Sequence, residues 1–146
     1  MTRIYLDNCC FNRPYDDQSR LRIELETKSK LFIQKLIVSD NLELIISYMS
    51  ILENDDNPYE IRKSAICDFF KYAKRTIFES DALLLIAKEI NEVGLKPKDS
   101  LHIASAIISK CDYFFSTDDK ILKYKDSRIV IMNPVNFAIS GEGRDS

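Results

Sequence analysis

Four acidic residues sit where the sequence passes from apolar, strand-like segments into helical ones. Asp7 closes Ile4-Tyr5-Leu6, Glu53 follows Ser47-Tyr48-Met49-Ser50-Ile51-Leu52, Asp99 precedes Ser100-Leu101-His102-Ile103-Ala104, and Asp118 ends Phe114-Phe115-Ser116-Thr117. In an α/β fold the carboxyl ends of parallel strands and the helix starts beside them share one rim, so these side chains can converge on a single pocket. Clustered carboxylates call for a cation. Hard oxygen donors without a Cys or His companion suit Mg²⁺ or Mn²⁺, and the usual task of such a site is phosphoryl chemistry.

Each acid also has a plainer reading. Turn chemistry alone favours Asp at the end of a strand, as for Asp7, and Asp99 in a first helical turn satisfies free amides and the helix dipole. Glu53 adjoins the solvated run Asn54-Asp55-Asp56. Asp118 and Asp119 are adjacent, and the sequence does not separate which would bind a cation and which would cap the next turn. Asp99 gains weight because its helix is otherwise apolar nearly all round, so a carboxylate at the exposed start points to the rim.

The elements that must position these groups can be read from periodicity. Residues 3 to 7 form a short strand, and a helix from about Ser19 to Ser39 is marked by Leu21, Leu25, Phe32 and Leu36 with Ile33 and Ile37, its start favoured by Asp16 and Asp17. Leu42 to Ser47 is a buried strand, followed by a short helix from Tyr48 to Glu53 and a break at Asn57-Pro58, with Pro58 in the first turn of the next helix. Ser80 caps a helix ending at Gly94, and Pro97 opens another. Strands at Cys111 to Ser116 and Ile129 to Met132 flank a helical turn from Asp119 to Lys123. This order predicts an α/β fold with a mostly parallel central sheet.

The chain of 146 residues, 45% apolar, fits one domain over residues 1–139, with 140–146 a disordered tail. Its net charge of -2 gives no support to broad electrostatic binding of nucleic acid, although a ring of acids would mask basic patches in the total. The longest apolar run, Ala82 to Ala87, is far short of the roughly 20 residues of a spanning helix. No membrane contact is expected, and without a signal-peptide pattern at the start the expected compartment is the cytoplasm.

Four cysteines, Cys9, Cys10, Cys67 and Cys111, lack the paired spacing of a zinc site. Cys67 and Cys111 read as small core residues, and the pair Cys9-Cys10 as candidates to line the pocket beside Asp7. His102 reads as a hydrogen-bonded helix residue and not a catalyst. Arg13, Lys96, Lys98 and Lys120 flank the acidic motifs, where they could hold phosphates, and Lys71, Lys74 and Arg75 form a second basic group.

Taken together, the four acids resemble the PIN-domain nucleases over residues 3 to about 137. In that family an Asp closes the first strand, a Glu follows a Ser-led short helix, the third acid opens an Asp-x-x-x-x-Ala helix, and the fourth lies in a Ser/Thr-x-Asp turn. Asp7, Glu53 after Ser47, Asp99 to Ala104, and Ser116 with Asp118 match in that order, and Ile129 to Pro134 also looks like the family. VapC-like toxins are closest in size. The chain departs from the pattern after Asp7, where Asn8 and Cys9 stand in place of the usual Thr or Ser.

The resemblance implies a three-layer α/β/α fold and an endoribonuclease that uses Mg²⁺ or Mn²⁺ held by Asp7, Glu53, Asp99 and Asp118. Asn8, Arg13, Ser116 and Asp119 are then candidates to support those acids or touch substrate. RNA, an antitoxin protein and a second copy of the chain are the candidate partners. The rival readings are a catalytically silent PIN-like module that binds RNA or protein, and a nuclease for structured DNA. An aspartyl-phosphate phosphatase is disfavoured, because Asp7-Asn8-Cys9 lacks a second Asp two residues on.

Overall fold

Alternation along the strands divides the core in two. A computed structural model describes residues 1–140. Five short strands, β1 (Arg3–Leu6), β2 (Glu43–Ser47), β3 (Arg75–Ile77), β4 (Tyr113–Phe115) and β5 (Val130–Met132), make one sheet in the order β3-β2-β1-β4-β5. Every pairing is parallel. Successive strand side chains point to opposite faces. Thus Tyr5, Ile45 and Phe114 join one apolar cluster, while Ile4, Leu6, Leu44, Ile46 and Phe115 join the other.

Helices cover both faces, as a wholly parallel sheet requires. The Tyr5 face packs on α5 (Asp81–Glu92) and α6 (Pro97–Ile108), through Leu83, Ala87, Ile90, Ile103 and Ala106. The opposite face packs on α1 (Asn8–Asn12), α2 (Leu21–Val38), α4 (Glu60–Phe69) and α8 (Pro134–Ser140), through Phe11, Ile33, Ile37, Ile66 and Phe137. Two short helices complete the rim, α3 (Tyr48–Asp55) after β2 and α7 (Asp119–Lys123) after β4. The result is a three-layer α/β/α fold.

Several expectations need correction. The parallel sheet expected is found, with every pair parallel, but it gains the edge strand β3, and α8 extends to Ser140, which was expected to lie in the tail; residues 141–146 fall outside the described part. Leu21 and Leu25 of α2 are exposed, whereas Glu26 and Lys30 are buried. Glu26 tolerates burial because it accepts from Arg13, Arg22 and Asn133. Asp16 and Asp17 do not start α2: Asp16 pairs with Arg13, and Asp17 accepts from the Ser19 amide. Pro58 stands just before α4, whose cap is Tyr59, and Cys67 is exposed on that helix.

Candidate active site

The sheet order reverses at β1. Chain growth runs from β1 outward through β2 to β3, then returns across β1 to lay down β4 and β5 on its other side. A crevice forms at such a switch point, outside the carboxyl ends of the strands. Asp7 directly follows β1 and Ser116 directly follows β4, and the Asp7 amide donates to the Phe115 carbonyl at 2.9 Å. Topology therefore puts the first and fourth acidic motifs side by side.

Asp7 is almost fully buried, at 6% exposure. Its Oδ1 accepts from the Asn8 amide at 2.9 Å, and Oδ2 accepts from Ser116 Oγ at 3.0 Å and from Cys9 Sγ at 3.3 Å. Burial pushes its carboxyl above the usual range, against the pull of His102 and of the Ser116 and Cys9 hydrogen bonds. Asn8 turns inward and donates from Nδ2 to the Ser50 carbonyl, leaving its own Oδ1 buried with no hydrogen-bond partner among the described residues. Cys9 thus supplies a side-chain contact to Asp7 that Asn8, turned toward Ser50, does not.

Asp99 lies in the first turn of α6, which opens with Pro97, and is half-buried. Its carboxyl is pushed up by burial and then by the negative charges of Asp7 and Asp118, with a smaller push from Glu53. Asp99 thus lies within electrostatic reach of the other three acids. Asp118 caps α7 by accepting from the Lys120 amide, and its own amide donates to Ser116 Oγ. Asp119 points away, held by Arg22 at 2.9 Å, which keeps its carboxyl below the usual range. Asp119 is thus engaged by Arg22, whereas Asp118 is exposed and its side chain caps α7.

Glu53 is held by a buried polar chain that the sequence did not reveal. His102, wholly buried on α6, meets Glu53 Oε1 through Nε2 at 2.9 Å and Tyr5 Oη through Nδ1 at 2.5 Å. Tyr5 Oη also contacts Ser47 Oγ at 2.6 Å and Ser50 Oγ at 3.1 Å. Ser47 Oγ already accepts from the Met49 and Ser50 amides, so its hydroxyl donates to Tyr5. A neutral His102 then accepts the phenol proton at Nδ1; a protonated one donates there, and the phenol turns to Ser50. In both states Nε2–H points at Glu53. Burial alone would push His102 down, but the Glu53 hydrogen bond and the charges of Asp7, Glu53 and Asp99 outweigh it and raise its pKa.

A faint signal for this chain existed in the sequence. Tyr5 lies two residues before Asp7 and so on the same face of β1, and His102 lies three residues after Asp99 on α6. Arg13, by contrast, is engaged away from the acids, bonded to Glu26 at 2.8 Å and Asp16 at 3.1 Å. Lys71 and Lys74 pair with Asp68 and Asp40.

Among the described residues no three Asp, Glu, His or Cys side chains stand close enough together to make a ready-formed metal site. The donor chemistry still suits a hard cation. Asp7, Asp99 and Asp118 offer only oxygens, and each carboxylate keeps lone pairs beyond its protein hydrogen bonds.

No family model and no curated protein matches this sequence. A solved structure does: a chain of VapBC2 from Rickettsia felis, bound to a DNA fragment from their promoter, is 15% identical, with 90% of this chain and 98% of that chain covered and a TM-score of 0.61. The fold is PIN-like. At this identity the likeness speaks for the fold alone, and the chemistry must be argued from the rim of acids. No described helix is long and apolar enough to cross a membrane.

Proposed function

We propose that this chain is a metal-dependent endoribonuclease, with Asp7, Asp99 and Asp118 holding Mg²⁺ or Mn²⁺ and Glu53 completing the acidic ring. The observation that carries the reading is geometric: nearly buried Asp7 closes β1 where the sheet order reverses, with Ser116 and the turn to Asp118 after β4 hydrogen-bonded beside it. When bound, the cation supplies Lewis acidity and a nucleophilic water near neutral pH. The chain's own part is positional. Ser116 and Cys9 orient Asp7, and the Tyr5–His102 chain fixes the face that Glu53 presents to the rim.

The likeness to a VapBC assembly supports a finer version, in which the chain is the toxin of a toxin–antitoxin pair and a small protein restrains it. The open spacing of the acids favours one rival, a silent module that binds RNA or protein without cutting. Incubation with end-labelled single-stranded RNA, with and without Mn²⁺, decides between them. Cleavage should need the metal, and Asp7→Asn or Asp99→Asn, each folded by circular dichroism, should lower it by more than about 10²-fold. Full activity in either variant, or no cleavage by the parent chain, overturns the nuclease reading.

A further inference from the structure

Arginines gather beside the turn that carries the fourth acidic motif. A cavity of about 320 Å³ at the start of α2 is lined by Arg13, Arg20, Arg22, Ile23, Thr117 and Asp119. Arg22 is committed: Nε donates to Glu26, Nη1 and Nη2 donate to Asp119, and Nη2 also reaches the Thr117 carbonyl at 2.9 Å. Arg13 donates from Nε to Glu26 and from Nη1 to Asp16, and its Nη2 has no acceptor among the described residues. Arg20 is exposed, with the charge of Asp17 nearby, and makes no side-chain hydrogen bond or ion pair among the described residues.

The cavity therefore has more donors than acceptors. Glu26, which answers both Arg13 and Arg22, is only 1% exposed, and neither it nor Asp16 lines the wall. Asp119 is the one carboxylate there, and both of its oxygens are taken by Arg22. The start of α2 adds to the imbalance. Arg20 stands at its cap position, no side chain caps it, and Ile23 brings the first turn to the wall. The positive end of an 18-residue helix favours an anion in the same place as the free guanidinium groups do.

We propose that this cavity is a phosphate subsite, with Arg20 and the Nη2 of Arg13 as its principal donors. Guanidinium forks match the oxygens of phosphate and of carboxylate alike. Donors that arrive from separate arginines and a helix start, however, suit a tetrahedral group with acceptors on several sides better than a planar one. The position points to the source. Thr117 stands between Ser116, which donates to Asp7, and Asp118, so the turn that walls the cavity is the turn that carries the acids. A strand cut at the acids carries further phosphates beside the scissile one, and contacts to these position it without reading its bases. This placement rests on the nuclease reading, whereas the phosphate chemistry does not.

Amide and arginine Nε–H correlation spectra of the parent chain, titrated with inorganic phosphate in EDTA, test the subsite itself. The Ile23 and Thr117 amides and the Arg20 Nε–H should shift in a saturable way, and Arg20→Gln, a change at an exposed side chain, should weaken binding several-fold. Fluorescence anisotropy of a short labelled single-stranded RNA, also in EDTA, tests the source of the phosphate. Arg20→Gln should reduce the slope of log K against log salt by about one phosphate contact, while Lys88→Gln, the same loss of charge on exposed α5 across the sheet, should leave it unchanged. No saturable shift at these groups, or equal phosphate affinity in Arg20→Gln, overturns the subsite. A phosphate response with an RNA slope independent of Arg20 overturns the placement on the strand and makes free phosphate the ligand. Neither measurement needs cleavage, so Arg20-dependent binding by a chain that never cuts RNA sinks the nuclease reading alone.

Discussion

At Asp99, function and stability oppose each other. Burial and the charges of Asp7 and Asp118 disfavour its ionised form, so replacing it with Asn removes a cost to folding while removing a proposed metal ligand. Asp99→Asn is expected to melt higher than the parent chain in EDTA, by about 2–4 °C for each kcal/mol of relieved repulsion, while losing cleavage. The pH dependence has a definite sign. Unfolded, Asp7 and Asp99 lose protons near 3.8; folded, they lose them at higher pH. Within that window the native state binds more protons, so their contribution is fully present below 3.8 and is lost as pH rises through the folded values. Urea denaturation in EDTA should show a shallower fall with pH for Asp99→Asn than for the parent, and if the acids hold Mn²⁺ as proposed, Mn²⁺ in place of EDTA should oppose the fall. Parallel pH profiles would mean that the acids do not interact as described.

At the scale of elements, what was legible followed length and periodicity. Strands β1, β2, β4 and β5 and helices α5 and α6 were readable because apolar runs, Ser80, Gly94 and Pro97 mark their cores or ends. Strand β3 was not, since three residues at a sheet edge, one of them Arg75, carry no pattern. The face of α2 was misread because two charged side chains, Glu26 and Lys30, are buried by partners distant in sequence, and spacing cannot report those. The same holds for the site: strand ends and helix starts suggested the four acids, but Tyr5 and His102 are 97 residues apart and are joined only by the packing of α6 on β1. Two variants probe that joint. Tyr5→Phe keeps the ring stack on Phe114 but leaves Ser47, Ser50 and His102 short of a partner, and should lower stability by about 1–3 kcal/mol in urea denaturation. His102→Gln should retain substantial turnover, since the ring faces Glu53 and not an open site. A fall of roughly 10²–10⁴-fold, the size expected for a lost general base, with folding intact, would make His102 the base.

At the scale of the whole molecule, a net charge of -2 conceals an acidic rim on one edge and an arginine-lined cavity at the start of α2. A partner that restrains the rim must answer its charge. Arginine is the side chain best suited, because its guanidinium pairs bidentately with carboxylates and competes directly with a cation. Any inhibitory protein is therefore expected to place an Arg among Asp7, Asp99 and Asp118, and Mn²⁺ should weaken its binding in a titration. Expression of this chain alone should slow bacterial growth, and the Asp7→Asn form should not. If the parent chain cleaves RNA in vitro yet its overexpression is harmless, the toxin reading fails while the ribonuclease reading stands. If both forms slow growth equally, the effect does not come from the acids.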